Sequence, residues 1–174
     1  MNASYDLNQN QLLALAAHMD ASKLEVTLHQ YMPEFHMEHC VFAAFMSKGT
    51  SFKDCGKPCE KHEVKLKDPY GNWHHLKPDQ ECRNTFFRAT PQSASFLVDE
   101  LKKIGVREYR LEALNESEEQ LLLKVKAYQK LILGQSTSEE VMKQIGVMES
   151  YGLSSGQLSV TKSYKDRKKS EIHS

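Results

Sequence analysis

The stretch Thr85-Phe86-Phe87-Arg88-Ala89-Thr90-Pro91-Gln92-Ser93-Ala94-Ser95-Phe96-Leu97-Val98-Asp99-Glu100-Leu101-Lys102-Lys103-Ile104-Gly105-Val106-Arg107-Glu108-Tyr109-Arg110-Leu111 decides the fold. Thr85 to Phe87 reads as a strand, and Thr90 followed by Pro91 reads as a cap and first helical position. The helix is expected to run to about Ile104 and stop at Gly105, after which Val106 to Leu114 is strand-like. Downstream, Asn115 to Glu119 opens a long helix with acidic residues at its start, ending near Gly134. Another helix is expected over about Ser138 to Glu149, capped by Ser136 or Thr137. Strand, helix, strand, helix with short links predicts an α/β fold of parallel βα units, either an open doubly wound sheet or a barrel. In such folds chemistry gathers at the carboxyl ends of strands, here the stretches after Leu28, Phe87 and Leu111.

Working outward, Asp6 or Asn8 can cap a helix over Gln9 to Met19, and Leu24 to His29 alternates like a strand. Val41 to Met46 is an apolar run too short to classify by period. His62 to Asp68 and Trp73 to Leu76, joined by Pro69-Tyr70-Gly71-Asn72, predict a β-hairpin with a four-residue turn.

Four cysteines, Cys40, Cys55, Cys59 and Cys82, crowd this irregular middle and none lies elsewhere. In Cys55-Gly56-Lys57-Pro58-Cys59 a glycine and a proline can turn the backbone so that two thiolates converge. Four thiolates suit zinc or an iron–sulfur cluster. The spacing C-x14-C-x3-C-x22-C lacks the paired C-x2-C knuckles of zinc ribbons and chooses neither metal. A disulfide framework would need an oxidising compartment, and no apolar signal segment opens the chain. Four unrelated thiols are the remaining reading.

At 174 residues with 40% hydrophobic content, the chain is long enough for one domain with a real core. Lys plus Arg equals Asp plus Glu at 23 each, so no global field argues for nucleic acid or an anionic membrane. No apolar run is long enough to cross a bilayer, and a cytoplasmic protein is expected. Residues 1–153 read as the folded part, and 154–174, rich in Ser, Lys and Arg, as a disordered basic tail.

Met32-Pro33-Glu34-Phe35-His36-Met37-Glu38-His39-Cys40-Val41-Phe42, the turn Asp54 to Cys59, and Glu81-Cys82-Arg83-Asn84-Thr85 resemble the collagenase-like peptidase family U32. The likeness spans about Asn2 to Gly156. The resemblance implies the carboxyl-terminal part of a TIM-like β/α barrel with a cysteine-rich loop and β-hairpin insertion. It also implies a four-iron, four-sulfur cluster on Cys40, Cys55, Cys59 and Cys82, with zinc as the alternative metal. The implied activity is that of a peptidase on protein or peptide, or else support of hydroxylation of RNA or of a quinone precursor. Pro33 stands where the family's early cysteine would fall. Since a β/α barrel takes about 250 residues, the missing amino-terminal barrel half, or a partner subunit, is an expected partner. A noncatalytic, metal-stapled fragment that binds such a chain is the contrasting reading.

His36, Glu38 and His39 beside Cys40 offer acid/base groups, with Glu38 and His39 as catalytic candidates, or else polar residues orienting the ligands. Glu25 and His29, four apart on one expected strand and hence one face, are candidates for binding substrate or for a hydrogen-bonded core pair. Arg83 and Asn84 offer a guanidinium fork and an amide for substrate, or a structural ion pair. His74 and His75 are expected to decorate the hairpin. No Gly-rich phosphate loop is present.

Overall fold

In the computed structural model, which describes residues 1–49, 51, 53–79 and 81–159, the elements run α1 (Gln9–His18), β1 (Glu25–Gln30), β2 (Pro33–Met37), α2 (Val41–Met46), β3 (Val64–Lys67), β4 (Trp73–Pro78) and β5 (Asn84–Phe87). They continue with β6 (Gln92–Ser93), α3 (Val98–Ile104), β7 (Glu108–Leu111), α4 (Glu118–Ile132) and α5 (Ser138–Gly146). Asn8, Ser117 and Thr137 close reciprocal capping boxes with Gln11, Gln120 and Glu140, which satisfies orphan backbone donors and sets the starts of α1, α4 and α5. Gly105, in the left-handed region at φ 111°, ends α3.

The chain is a mixed α/β structure with two small sheets. In the first, β1 lies between β6 and β7, parallel to β7 and antiparallel to β6. The second has the order β2-β5-β4-β3 and is antiparallel throughout. The expected run of parallel βα units is therefore corrected: β5 belongs to the antiparallel sheet, and β1 with β7 is the one parallel pair of strands among the described residues, beside isolated parallel bridges at Asn2–Glu25 and Gln92–Ser154. These residues form no closed barrel. The predicted helix start at Thr90 and Pro91 is also displaced, because Gln92 and Ser93 pair with Gln30 and His29 of β1. Only after a 3-10 turn at Ser95–Leu97 does the helix begin, at Val98.

A larger core joins Leu12 and Ala16 of α1, Val26 and Leu28 of β1, Val98 and Leu101 of α3, Ala127, Tyr128 and Leu131 of α4, and Val141 and Ile145 of α5. A separate small core holds Phe42, Leu76 and Phe86, with Cys40 and Cys59 packed against it. The expected disordered tail begins too early at Ser154. Ser154 bonds through its backbone to Pro91 and Ser93, and Leu158 is buried in the larger core. Gly156 permits this, since a Cβ there would sit 2.1 Å from Gln92 Oε1. The remainder of that tail, residues 160–174, lies outside the described residues.

Candidate active site and cysteine region

Lys124 is the centre of a buried polar group. It lies on the apolar stripe of α4, in step with Ala127, Tyr128 and Leu131, so the helix drives an ammonium into the protein. Its Nζ donates to Glu116 Oε1 at 2.6 Å and to His29 Nε2 at 3.2 Å, and it ion-pairs with Glu149. The side chains of Lys124, Glu116 and Glu149 are only 3%, 6% and 6% exposed. Because an ammonium can only donate, His29 Nε2 accepts, and Nδ1 carries the proton and donates to the Tyr128 hydroxyl at 3.3 Å. Tyr128 in turn donates to Ser93 Oγ at 2.8 Å. Burial first, and then the Lys124 charge, lower the His29 pKa to about 3, so the ring is neutral at ordinary pH. Burial alone would raise the Glu116 carboxyl, but the Lys124 hydrogen bond and backbone donors outweigh it and hold the group below its usual value.

Glu149, on the segment after α5, accepts at Oε2 from the Tyr31 hydroxyl at 2.5 Å. Its Oε1 lies against the Lys124 ammonium yet makes no aligned hydrogen bond. Burial and the Glu149 hydrogen bond raise the Tyr31 pKa well above the ordinary phenol value. Tyr31, Lys124, Glu116 and Glu149 line a polar cavity of about 270 Å³ with His75 and Asn115. It opens where β1 and β7 end and the chain continues to Tyr31 and Glu116. A second cavity of about 540 Å³ shares Tyr31, Glu63, Lys65 and His75 and adds Trp73 and Tyr151.

Of the residues predicted from sequence, His29 belongs to this site and Glu25 does not. A bulge between Thr27 and His29 breaks the two-residue alternation of β1. Glu25 pairs at the surface with Arg110 at 2.8 Å, while His29 is buried against α4. The expectation that the two share one face is thus corrected. His75, read as hairpin decoration, lines the cavity, bonds Asn115 and meets Tyr31 edge to face at 5.5 Å. His74 is structural, stacked on Phe86 and bonded to Asp68. Glu38 and His39 are exposed between β2 and α2 and do not line the cavity. Arg83 is held by Asp79 and Glu81 in a surface turn. Asn84, fully buried, accepts from Val41 N at 2.6 Å and points its amide at Cys40 Sγ, 3.9 Å away. It positions the start of α2 and with it Cys40.

The four cysteines are free thiols. Cys40 caps α2, its Sγ accepting from Ala43 N at 3.5 Å, and Cys55 Sγ accepts from Lys57 N at 3.4 Å. Cys59 sits in the 3-10 turn Pro58–Glu60. Lys57 and Cys82 are the non-glycine residues of positive φ among those described, at 50° and 63°, a conformation that costs about 1–3 kcal/mol each. Gly49 cannot be larger, because a Cβ would lie 2.4 Å from the Asp54 carbonyl oxygen beside Cys55. The Cys82 thiol is pushed up by burial first and then by charge repulsion from Cys40, Cys55 and Cys59. Among the described residues, however, no three cysteine sulfurs lie within 4.8 Å of one another. Tetrahedral zinc, with Zn–S of about 2.3 Å, would hold its thiolates about 3.8 Å apart. The described cysteines therefore form no clear cluster of donors.

Sequence reasoning passed over Lys124, Glu116, Glu149, Tyr31 and Tyr128. The available signal was Lys124 itself, a charge on the buried stripe of an amphipathic helix.

The family model for peptidase family U32 matches residues 2–168, nearly the whole chain. Comparison with curated proteins gave no match, and neither did comparison with solved structures. No helix among the described residues is long and apolar enough to cross a membrane.

Proposed function

We propose, on the premise that this chain belongs to peptidase family U32, that it hydrolyses a peptide bond in the cavity at the carboxyl ends of β1 and β7. The carrying observation is Lys124, a buried ammonium clamped between two carboxylates at the wall of a polar cavity. Peptide hydrolysis needs a proton acceptor for water and donors for the oxygen that becomes negative. Glu149, whose Oε1 lacks an aligned hydrogen bond, takes the water proton. Lys124 supplies the positive charge beside the oxygen that becomes negative, and the Tyr31 hydroxyl, which donates its one proton to Glu149 Oε2, orients that base. Glu116, from the cavity wall, and His29, from behind it, fix the ammonium, and His75 with Asn115 also lines the cavity.

The parallel β1 and β7 are read as part of a larger β/α barrel, which further strands would complete. Cys40, Cys55, Cys59 and Cys82 are read as ligands of a four-iron, four-sulfur cluster, with Ala43 N, Lys57 N and the Asn84 amide directed at its sulfurs. When bound, such a cluster supplies one-electron chemistry. Glu63 lines both the reaction cavity and a third cavity walled by Cys59, which makes the two regions neighbours. That neighbourhood favours a second reading, an oxidative role in hydroxylating RNA or a quinone precursor. Free thiols suit a reducing compartment such as the cytoplasm.

The test is hydrolysis of gelatin and a peptide library by full-length, anaerobically prepared protein. Hydrolysis lost in Glu149→Gln and kept in Glu38→Gln and His39→Ala supports the proposal. A cluster-loaded protein that cleaves nothing leaves the oxidative reading, and one with neither metal nor activity leaves a binding module.

A further inference from the structure

The donor atoms of His29, Glu116 and Glu149 lie within 4.8 Å of one another, one imidazole nitrogen and two carboxylate oxygens. All three side chains are more than nine-tenths buried. His29 Nε2 stands 3.7 Å from Glu149 Oε1, and the Lys124 ammonium touches all three groups. His29 is oriented as metal-binding histidines are, its far ring nitrogen held by a hydroxyl that is itself held by Ser93. Glu149 Oε1, buried and without an aligned hydrogen bond, aims into the same point. The two carboxylates carry a charge of about minus two, which the ammonium only half offsets and a doubly charged ion in its place would cancel.

We propose that His29, Glu116 and Glu149 form a divalent-cation site whose resident cation is the Lys124 ammonium, and that Mn²⁺ occupies it when that ammonium is removed. One nitrogen and two oxygens suit Mn²⁺, Fe²⁺ or Zn²⁺, whereas the cysteine thiolates prefer the softer ions. Mn²⁺ is therefore the probe that separates this site from the cysteines. The proposal is independent of the hydrolytic reading, because its readout is metal binding and not turnover.

The experiment titrates Mn²⁺ into the full chain, with its cysteine centre as isolated, and follows loss of the free-ion electron paramagnetic resonance signal. Lys124→Ala is expected to bind one Mn²⁺ at least about tenfold more tightly than the wild type, since a unit charge in near contact has been removed. The double variant Lys124→Ala/Glu149→Gln is expected to lose that gain. Lys124→Ala leaves two buried carboxylates uncompensated, so its folding is measured with and without Mn²⁺. Recovery of the folded circular dichroism spectrum by Mn²⁺ supports the site. A folded Lys124→Ala that binds no better than wild type, a double variant that binds as well as the single one, or an unfolded Lys124→Ala that Mn²⁺ does not rescue would each overturn it.

Discussion

The Lys124 site and the cysteine region are built in opposite ways. The first is closed by contacts between distant parts of the chain: His29 meets Tyr128 from 99 residues away, and Tyr31 meets Glu149 from 118. The second is assembled from short turns, Ser51 with Asp54, Asp68 with Asn72 and Asp79 with Arg83, over a core of three buried side chains. The fold therefore organises the charged site before any ligand arrives. The cysteine region relies on local backbone geometry, with two residues in the left-handed region, and under the proposed metal binding it would gain rigidity as its turns were tied together.

The largest expected effect breaks the charged site. Lys124→Ala should lower stability by about 3–5 kcal/mol, because it strands two buried carboxylates; equilibrium denaturation measures this. A loss under about 1 kcal/mol would mean that the carboxylates find other partners.

Acid titration is the next strongest probe. The folded pKa of His29, about 3, lies below the unfolded value of about 6.5, so between those limits the unfolded chain binds more protons. Stability should then fall as pH drops through that window, by up to about 1.4 kcal/mol per unit. The lowered Glu116 carboxyl acts in the same direction, its contribution fading as pH falls below the unfolded carboxyl value. A His29→Gln variant should show a shallower acid slope in denaturation measured across that range, and an unchanged slope would place the titration elsewhere.

The cysteine region should respond locally. Asn84→Ala removes a buried amide that holds Val41 N and faces Cys40, at an expected cost of about 1–3 kcal/mol. Hydrogen exchange should quicken over α2 and the cysteine turns while β1 and β7 keep their protection. Uniform quickening would show that the two regions unfold as one. The smallest effect belongs to the surface pair: Glu25→Gln should change stability by less than about 1 kcal/mol and leave turnover unaltered.

What the sequence revealed follows the same division. The starts of α1, α4 and α5 were legible because capping signals are local, and Gly105 marked the end of α3 for the same reason. The hairpin of β3 and β4 was legible from its turn residues. The pairing of Gln92 and Ser93 was not, since a two-residue strand exists only through its partner β1. Helix α2 is six residues long, too short to show a period. Of the Lys124 site only His29 was singled out, for the wrong neighbour, because the bulge that separates it from Glu25 leaves no local mark. Glu116 and Glu149 look like ordinary surface acids until the tertiary fold brings them to one ammonium.

The most direct test compares Glu149→Gln with Glu38→Gln in one peptide-hydrolysis assay on cluster-loaded, full-length protein. The account predicts that kcat falls by at least about a hundredfold in Glu149→Gln, the scale expected for loss of a general base, while Glu38→Gln stays within about twofold of wild type. Equal activities, or a loss confined to Glu38→Gln, would contradict the assignment of the Lys124 cavity as the reaction site.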